Sequence, residues 1–164
     1  MPAVWVSIGS NIDPTHHIRE AIQALEARFG HLLASRVYET VAVGFEGDAF
    51  LNMVVGFATR ESPEAVVTAL RAIEDAAGRE RSGAKFGSRT LDLDLLLYGD
   101  RTAEVAGKPL PHPDILKYPF VLGPLAELVP EGRHPTMGET YRELWQRMRA
   151  RDGVALRPAS LGLR

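Results

Sequence analysis

The 164-residue sequence contains no cysteine, which removes disulfides, thiolate metal ligands and a cysteine nucleophile from consideration. Any catalytic metal must therefore sit on oxygen or imidazole. No apolar run approaches membrane-spanning length, and the opening Met1-Pro2-Ala3-Val4-Trp5-Val6-Ser7 lacks a basic segment, so neither a membrane partner nor a signal peptide is expected. Neither sign of charge is in large excess: 19 Lys and Arg against 21 Asp and Glu leave a net −2. That balance supplies no global attraction to nucleic acid or anionic lipid, and any phosphate chemistry must come from local clustering. A Gly-x-x-x-x-Gly-Lys-Ser/Thr stretch is also missing, which excludes a P-loop enzyme. What remains, 45% hydrophobic and 24% charged, describes a single domain over residues 1–164, expected to be monomeric and cytoplasmic.

Val4, Val6 and Ile8 alternate with Trp5 and Ser7, predicting a strand over 3–9. Asp13 and Pro14 supply an N-cap and a first helical residue, and Ile18, Ala21, Ile22, Leu25 and Phe29 share a face before Gly30 ends the helix. Residues 32–41 and 50–59 predict two antiparallel strands, the second alternating through Leu51, Met53, Val55 and Phe57. Ser62-Pro63 opens a second helix with Val66, Leu70, Ile73 and Ala77 on one face and Gly78 at its end. A fourth strand follows over 89–98. This order predicts a ferredoxin-like α+β sandwich with a β-α-β-β-α-β core, both helices on one sheet face and the other face free for an active site. Beyond residue 100, prolines at 109, 111, 113, 119, 124, 130 and 135 predict loops, then a helix through Tyr141, Leu144, Trp145 and Met148 that covers the core. Residues 152–164 read as a weakly ordered tail.

The segment Arg89-Thr90-Leu91-Asp92-Leu93-Asp94-Leu95-Leu96-Leu97 carries the chemistry. In a strand, Asp92 and Asp94 project from one face about 6.6 Å apart while Leu91, Leu93, Leu95 and Leu97 pack on the other. Like charges so held suit a hard divalent cation, and two magnesium ions about 3.5–4 Å apart would be bridged by such a pair; a solvated edge strand is the plainer alternative. Just before it, Arg79, Arg81, Lys85 and Arg89 set four cations against the single anion Glu80. Three of the four are arginines, whose planar fork takes phosphate oxygens two at a time.

Lys85-Phe86-Gly87-Ser88-Arg89-Thr90-Leu91-Asp92-Leu93-Asp94 resembles the signature of the 6-hydroxymethyl-7,8-dihydropterin pyrophosphokinases. The likeness extends from Ile8-Gly9-Ser10-Asn11 through Phe50-Leu51-Asn52 to Leu110-Pro111-His112-Pro113 and Phe120-Val121-Leu122. It implies a ferredoxin-like fold and transfer of diphosphate from ATP to the pterin hydroxymethyl group, giving AMP and a folate precursor. It places two magnesium ions on Asp92 and Asp94. Arg79, Arg81 and Arg89 match arginines that bind phosphate and close a loop, joined at the ATP by Lys85, and His112 matches a histidine on the ATP phosphates. Phe50 and Phe120 match a pair that stacks on the pterin, Asn52 addresses its ring edge, and Thr40 with the backbone around Val43 completes the contacts. Glu74 sits where relatives have a glutamate near the catalytic loop, and it reads equally well as a helix-surface acid. His16, His17, His31 and His134 belong to no motif and read as surface residues.

The sequence departs from the family at Tyr118-Pro119-Phe120, where an arginine commonly precedes the second aromatic by two residues, and at Phe86, Val41-Ala42 and Gly107-Lys108. Loss of that arginine is expected to slow turnover more than binding. It keeps in view a slow or inactive paralogue that binds pterin or nucleotide, while the basic loop and exposed aromatics keep in view an RNA-binding module on the same sheet. Asp92 and Asp94 oppose the second by repelling a nucleic-acid backbone.

Overall fold

The computed structural model describes residues 1–40, 49–78, 91–152 and 156–159. Its core elements are β1 (Ala3–Ser10), α1 (Pro14–Phe29), β2 (Leu33–Ala34), β3 (Val37–Thr40), β4 (Phe50–Ala58), α2 (Pro63–Ala76) and β5 (Asp92–Tyr98). They are followed by a hairpin of β6 (Ala103–Val105) and β7 (Lys108–Leu110), a 3-10 turn at Pro113–Leu116, α3 (Pro119–Leu128), α4 (Tyr141–Asp152) and β8 (Arg157–Ala159). The main sheet runs β5-β1-β4-β3-β8, antiparallel throughout, with β2 also on β4. This is the ferredoxin-like order, and it makes β5, the strand of the paired acids, an edge strand.

Local chemistry sets the element ends. Ser62 accepts a hydrogen bond from the Ala65 amide and caps α2, with Pro63 at its first position. Gly30 and Gly78 take positive φ beyond α1 and α2. Asp13 precedes α1 in a left-handed conformation and makes no side-chain cap, so Pro14 rather than the expected cap starts that helix. The strand predicted over 32–41 is two strands. Ala34 pairs with Val55 whereas Tyr38 pairs with Asn52, a one-residue slip in which the Ser35 hydroxyl accepts the Val54 amide at 2.9 Å.

One sheet face carries Val4, Val6, Ile8, Met53, Val55, Phe57, Leu93 and Leu95 and is covered by Ile18, Ala21 and Leu25 of α1 and Val66 and Leu70 of α2. The opposite face, expected from the element order to be free for a site, is covered in part. Val54, Leu96 and Leu97 are buried there beneath Val121, Leu122 and Leu125 of α3 and Tyr141, Leu144 and Met148 of α4. The β1–β5 register slips between Trp5 and Val6, which face Leu97 and Leu95. The extra residue puts Leu96 and Leu97 together in the second core, so Leu97 does not join Leu91, Leu93 and Leu95 as expected. Trp5 lies over Gly56, where an added Cβ would come within 2.1 Å of the indole.

The proline-rich stretch folds more than its composition predicts. Pro119 occupies the first turn of α3 and Pro124 is accommodated within that helix. Residues 157–159, placed by the sequence in a weakly ordered tail, pair with β3.

Candidate active site

Along the second face, polarity changes with position. Trp5, Gly56 and Leu97 lie under α3 and α4, whereas Gly9, Asn52, Asp92 and Asp94 lie at the other end. Gly9 pairs with Asn52 on one side and with Asp92 on the other, so Asp92, Gly9 and Asn52 form one row across three strands and share a face. Two strand spacings separate the acid from the amide, about 9.5 Å, with no side chain between. An added Cβ at Gly9 would meet the Asn52 Oδ1 at 2.9 Å. Buried Asn52 donates to the Thr40 hydroxyl at 3.0 Å, and Thr40 pairs with Phe50 across β3 and β4. Three of the residues expected at a pterin, Thr40, Phe50 and Asn52, therefore meet at one end of the sheet. Phe120 packs at the edge of the second core, its ring stacked on that of exposed Tyr118 at 5.0 Å.

The acids stand on β5 as the alternation predicts, with Leu93 buried between them. Ser7 faces Asp94 in the ladder. Burial, reinforced by the Asp92 carboxylate, raises the pKa of Asp94, while Lys108 and His112 act in the opposite sense. The Lys108 Nζ lies 3.5 Å from the Asp94 Oδ1. His112 is tied to β5 through its amide, which donates to the Leu96 carbonyl at 2.9 Å. Its Nδ1 accepts the Asp114 amide at 3.1 Å. A neutral ring therefore carries its proton on Nε2. One donor atom each of Asp94, His112 and Asp114 fall within 4.8 Å of one another. Carboxylate oxygens suit a hard cation such as magnesium, for which imidazole is a poor ligand, so the donor set fits that ion through the acids.

Beside the acids, along the outer edge of β5, lies a cavity of about 220 Å³ lined by Val67, Leu70, Leu95, Val105 and Leu110, with Arg71, Glu74 and Lys108 at its polar parts. Glu74 is buried, not the surface acid that its helical position allowed, and it accepts the Leu93 amide at 2.8 Å. His134 is buried as well, contrary to the surface reading. Its Nδ1 accepts the amides of Thr136 and Met137 at 3.2 Å each, and burial lowers its pKa. Val43, Arg79, Arg81, Lys85 and Arg89 lie outside the described residues.

Sequence reasoning did not anticipate Asp114 or the pairing of Lys108 with Asp94. The turn signal His112-Pro113-Asp114 was available for the first. For the second, no local pattern shows that the β6–β7 hairpin folds back onto the edge strand.

The described residues thus bring clustered acids, an amide in the same row and a small cavity together at one end of a ferredoxin-like sheet. Residues 5–130 match the model of the 7,8-dihydro-6-hydroxymethylpterin-pyrophosphokinase family, and the chain belongs to that family. It is 38% identical over 161 residues to a 2-amino-4-hydroxy-6-hydroxymethyldihydropteridine pyrophosphokinase of Synechocystis sp., covering 96% of this chain and 80% of that one. It is 34% identical over 155 residues to the Bacillus subtilis protein of the same name, covering 92% of each. Among solved structures, wild-type Plasmodium falciparum HPPK-DHPS superposes with a TM-score of 0.73 at 13% identity. That match covers 93% of this chain but only 46% of the Plasmodium chain, so it bears on the fold alone. The activity of the family is ATP-dependent transfer of pyrophosphate to hydroxymethyldihydropterin, a step of folate synthesis. Among the described residues, no helix is long and apolar enough to cross a membrane.

Proposed function

We propose that the open end of the second sheet face holds both substrates, with the pterin at Asn52 and the ATP phosphates at Asp92 and Asp94. The row Asp92–Gly9–Asn52 carries this reading, because it sets a ring-edge amide and an acidic cluster on one face with an empty glycine position between them.

The pterin stacks between Phe50 and Phe120, Tyr118 turning aside from the latter. Asn52, fixed by Thr40, offers its carbonyl and its second amide hydrogen to the ring edge, and the backbone near Val43 completes the contact. The nucleotide base enters the cavity beside β5, whose apolar walls bury the ring. His112 donates from Nε2 to a phosphate oxygen, and Arg79, Arg81, Lys85 and Arg89 supply the remaining counter-charge. Two magnesium ions on Asp92 and Asp94, one of them also within reach of Asp114, would supply charge neutralisation and lower the pKa of the attacking hydroxyl.

The pterin hydroxymethyl oxygen attacks the β-phosphorus in line. A new C–O–P bond forms, the bond between that phosphorus and the AMP oxygen breaks, and the hydroxyl proton passes to solvent. The side chains chiefly position the reactants and shield charge. The setting proposed for the reaction is the cytoplasm, with the chain acting as a monomer.

The test is incubation with ATP, magnesium and hydroxymethyldihydropterin. AMP and pterin diphosphate should appear in equal amounts. ADP would mark an ordinary kinase, and absence of both would mark a protein that only binds. Asp92→Ala should abolish AMP release with the fold intact; AMP release near the wild-type rate would remove the acids from the mechanism.

A further inference from the structure

We infer that Glu74 of α2 is a positioning residue for the paired aspartates, acting through the backbone of the strand that carries them. The inference rests on the assignment of the metal site to Asp92 and Asp94.

Glu74 is out of place by the logic of its helix. It continues the i, i+4 stripe through Val66 and Leu70, both buried in the first core, where an apolar side chain is the expected choice. It is nevertheless 5% exposed and lines the same cavity as Asp92 and Asp94. Burying a carboxylate there costs desolvation free energy that an apolar side chain would not. Its place in the stripe calls for an explanation beyond apolar packing.

The explanation lies in what it holds. Among the described residues β5 is the edge strand, with no strand on its outer side, and the Leu93 amide donates there to the Glu74 Oε2 at 2.8 Å. In an antiparallel ladder the flanking residues turn their backbone groups the other way, so Asp92 and Asp94 are tied inward to β1 while the residue between them is tied outward to α2. Asp92 is the first residue of the strand, where an edge frays most readily. Glu74 thereby stands in for a missing neighbouring strand at the one place where the separation of two metal-binding side chains is set by backbone spacing. No direct contact of Glu74 with substrate is needed.

The experiment uses Glu74→Leu, which fills the stripe but cannot accept a hydrogen bond, and Glu74→Gln, which keeps an acceptor oxygen and loses the charge. Manganese is titrated with a non-hydrolysable ATP analogue and read by electron paramagnetic resonance, and the melting temperature is measured alongside. Disturbing the groups that orient metal ligands lowers affinity about 10- to 100-fold, so Glu74→Leu should bind manganese at least about 10-fold more weakly while still unfolding in a cooperative transition. Glu74→Gln should recover affinity to within about threefold of wild type on the same principle. Wild-type affinity in Glu74→Leu, or equal weakening in both variants, overturns the inference, the latter because charge and not the amide contact would then matter. Asp94→Asn is the control: if it also binds manganese normally, the metal assignment itself fails. If it alone loses manganese, that assignment stands and only the role of Glu74 falls.

Discussion

Replacing Asp94 by asparagine should make the ligand-free protein more stable while destroying its activity. The carboxylate is mostly buried, and its neighbours of like charge are Asp92 and Asp114. At about 6.6 Å along a strand and an effective dielectric near 20, the repulsion from Asp92 is about 2.5 kcal/mol. The compensating Lys108 is 64% exposed, and such solvent-screened pairs contribute about 0–1 kcal/mol. Relief of about 1–2 kcal/mol is expected, a rise of roughly 2–8 °C in the melting temperature for a chain of this size. The pH dependence follows from the raised pKa of Asp94. An acid bound more tightly by protons in the folded state destabilises it above the folded pKa, and that penalty disappears as pH falls through the folded pKa towards the unfolded value. The advantage of Asp94→Asn should therefore be present at pH 7 and shrink towards zero near pH 4. Calorimetry at the two pH values, repeated with magnesium and a non-hydrolysable ATP analogue, supplies the check: ligands stabilise the wild type through linkage, and the variant should gain much less. A lower melting temperature for the variant at pH 7, or an equal gain with ligand, would refute the electrostatic account.

Asn52→Ala should weaken pterin binding with little effect on ATP affinity, measured by fluorescence titration, and the lost bond to Thr40 should cost about 1 kcal/mol of stability. Gly9→Ala should raise the KM for pterin without removing any functional group, because the new methyl displaces the Asn52 carbonyl oxygen from its position; steady-state kinetics will show it. Gly56→Ala, overpacked against Trp5, should destabilise by about 1–3 kcal/mol in urea unfolding and leave KM for both substrates unchanged. Tyr118→Arg should raise kcat with KM for pterin nearly constant, as judged by AMP release.

Sequence periodicity and local capping account for most element positions, the exceptions being the cap of α1, which Asp13 does not make, and the strand read over 32–41, which is two. The alternation that sets Asp92 and Asp94 on one face needs only strand geometry, and Pro63 with Ser62 mark α2 by local bonds. The misreadings share a cause in tertiary contact. Leu95-Leu96-Leu97 is uniformly apolar, so nothing in it reveals the register slip that sends Leu97 to the second core. Glu74 is explained by a backbone amide nineteen residues away, and His134 by a turn that closes on its own ring. Residues 157–159 carry no strand pattern and are recruited by the unpaired edge of β3. α3 was hidden by its prolines, which read as loop unless their places within the helix are known.

The division of the second sheet face explains why the site lies where it does. Apolar residues at one end, Trp5, Val54 and Leu97, bind α3 and α4 and supply stability. At the other end polar residues on the same three strands, Asp92, Asp94 and Asn52, cannot be covered without desolvating them, and Gly9 leaves a space in the row. A single alternating pattern thus changes from packing surface to binding surface within about four residues, roughly 13 Å of strand. The acids repel one another unless a cation is present, and the rigid half of the sheet offsets that penalty. The edge strand that bears the acids is held by β1 within the sheet and by the Glu74 carboxylate outside it.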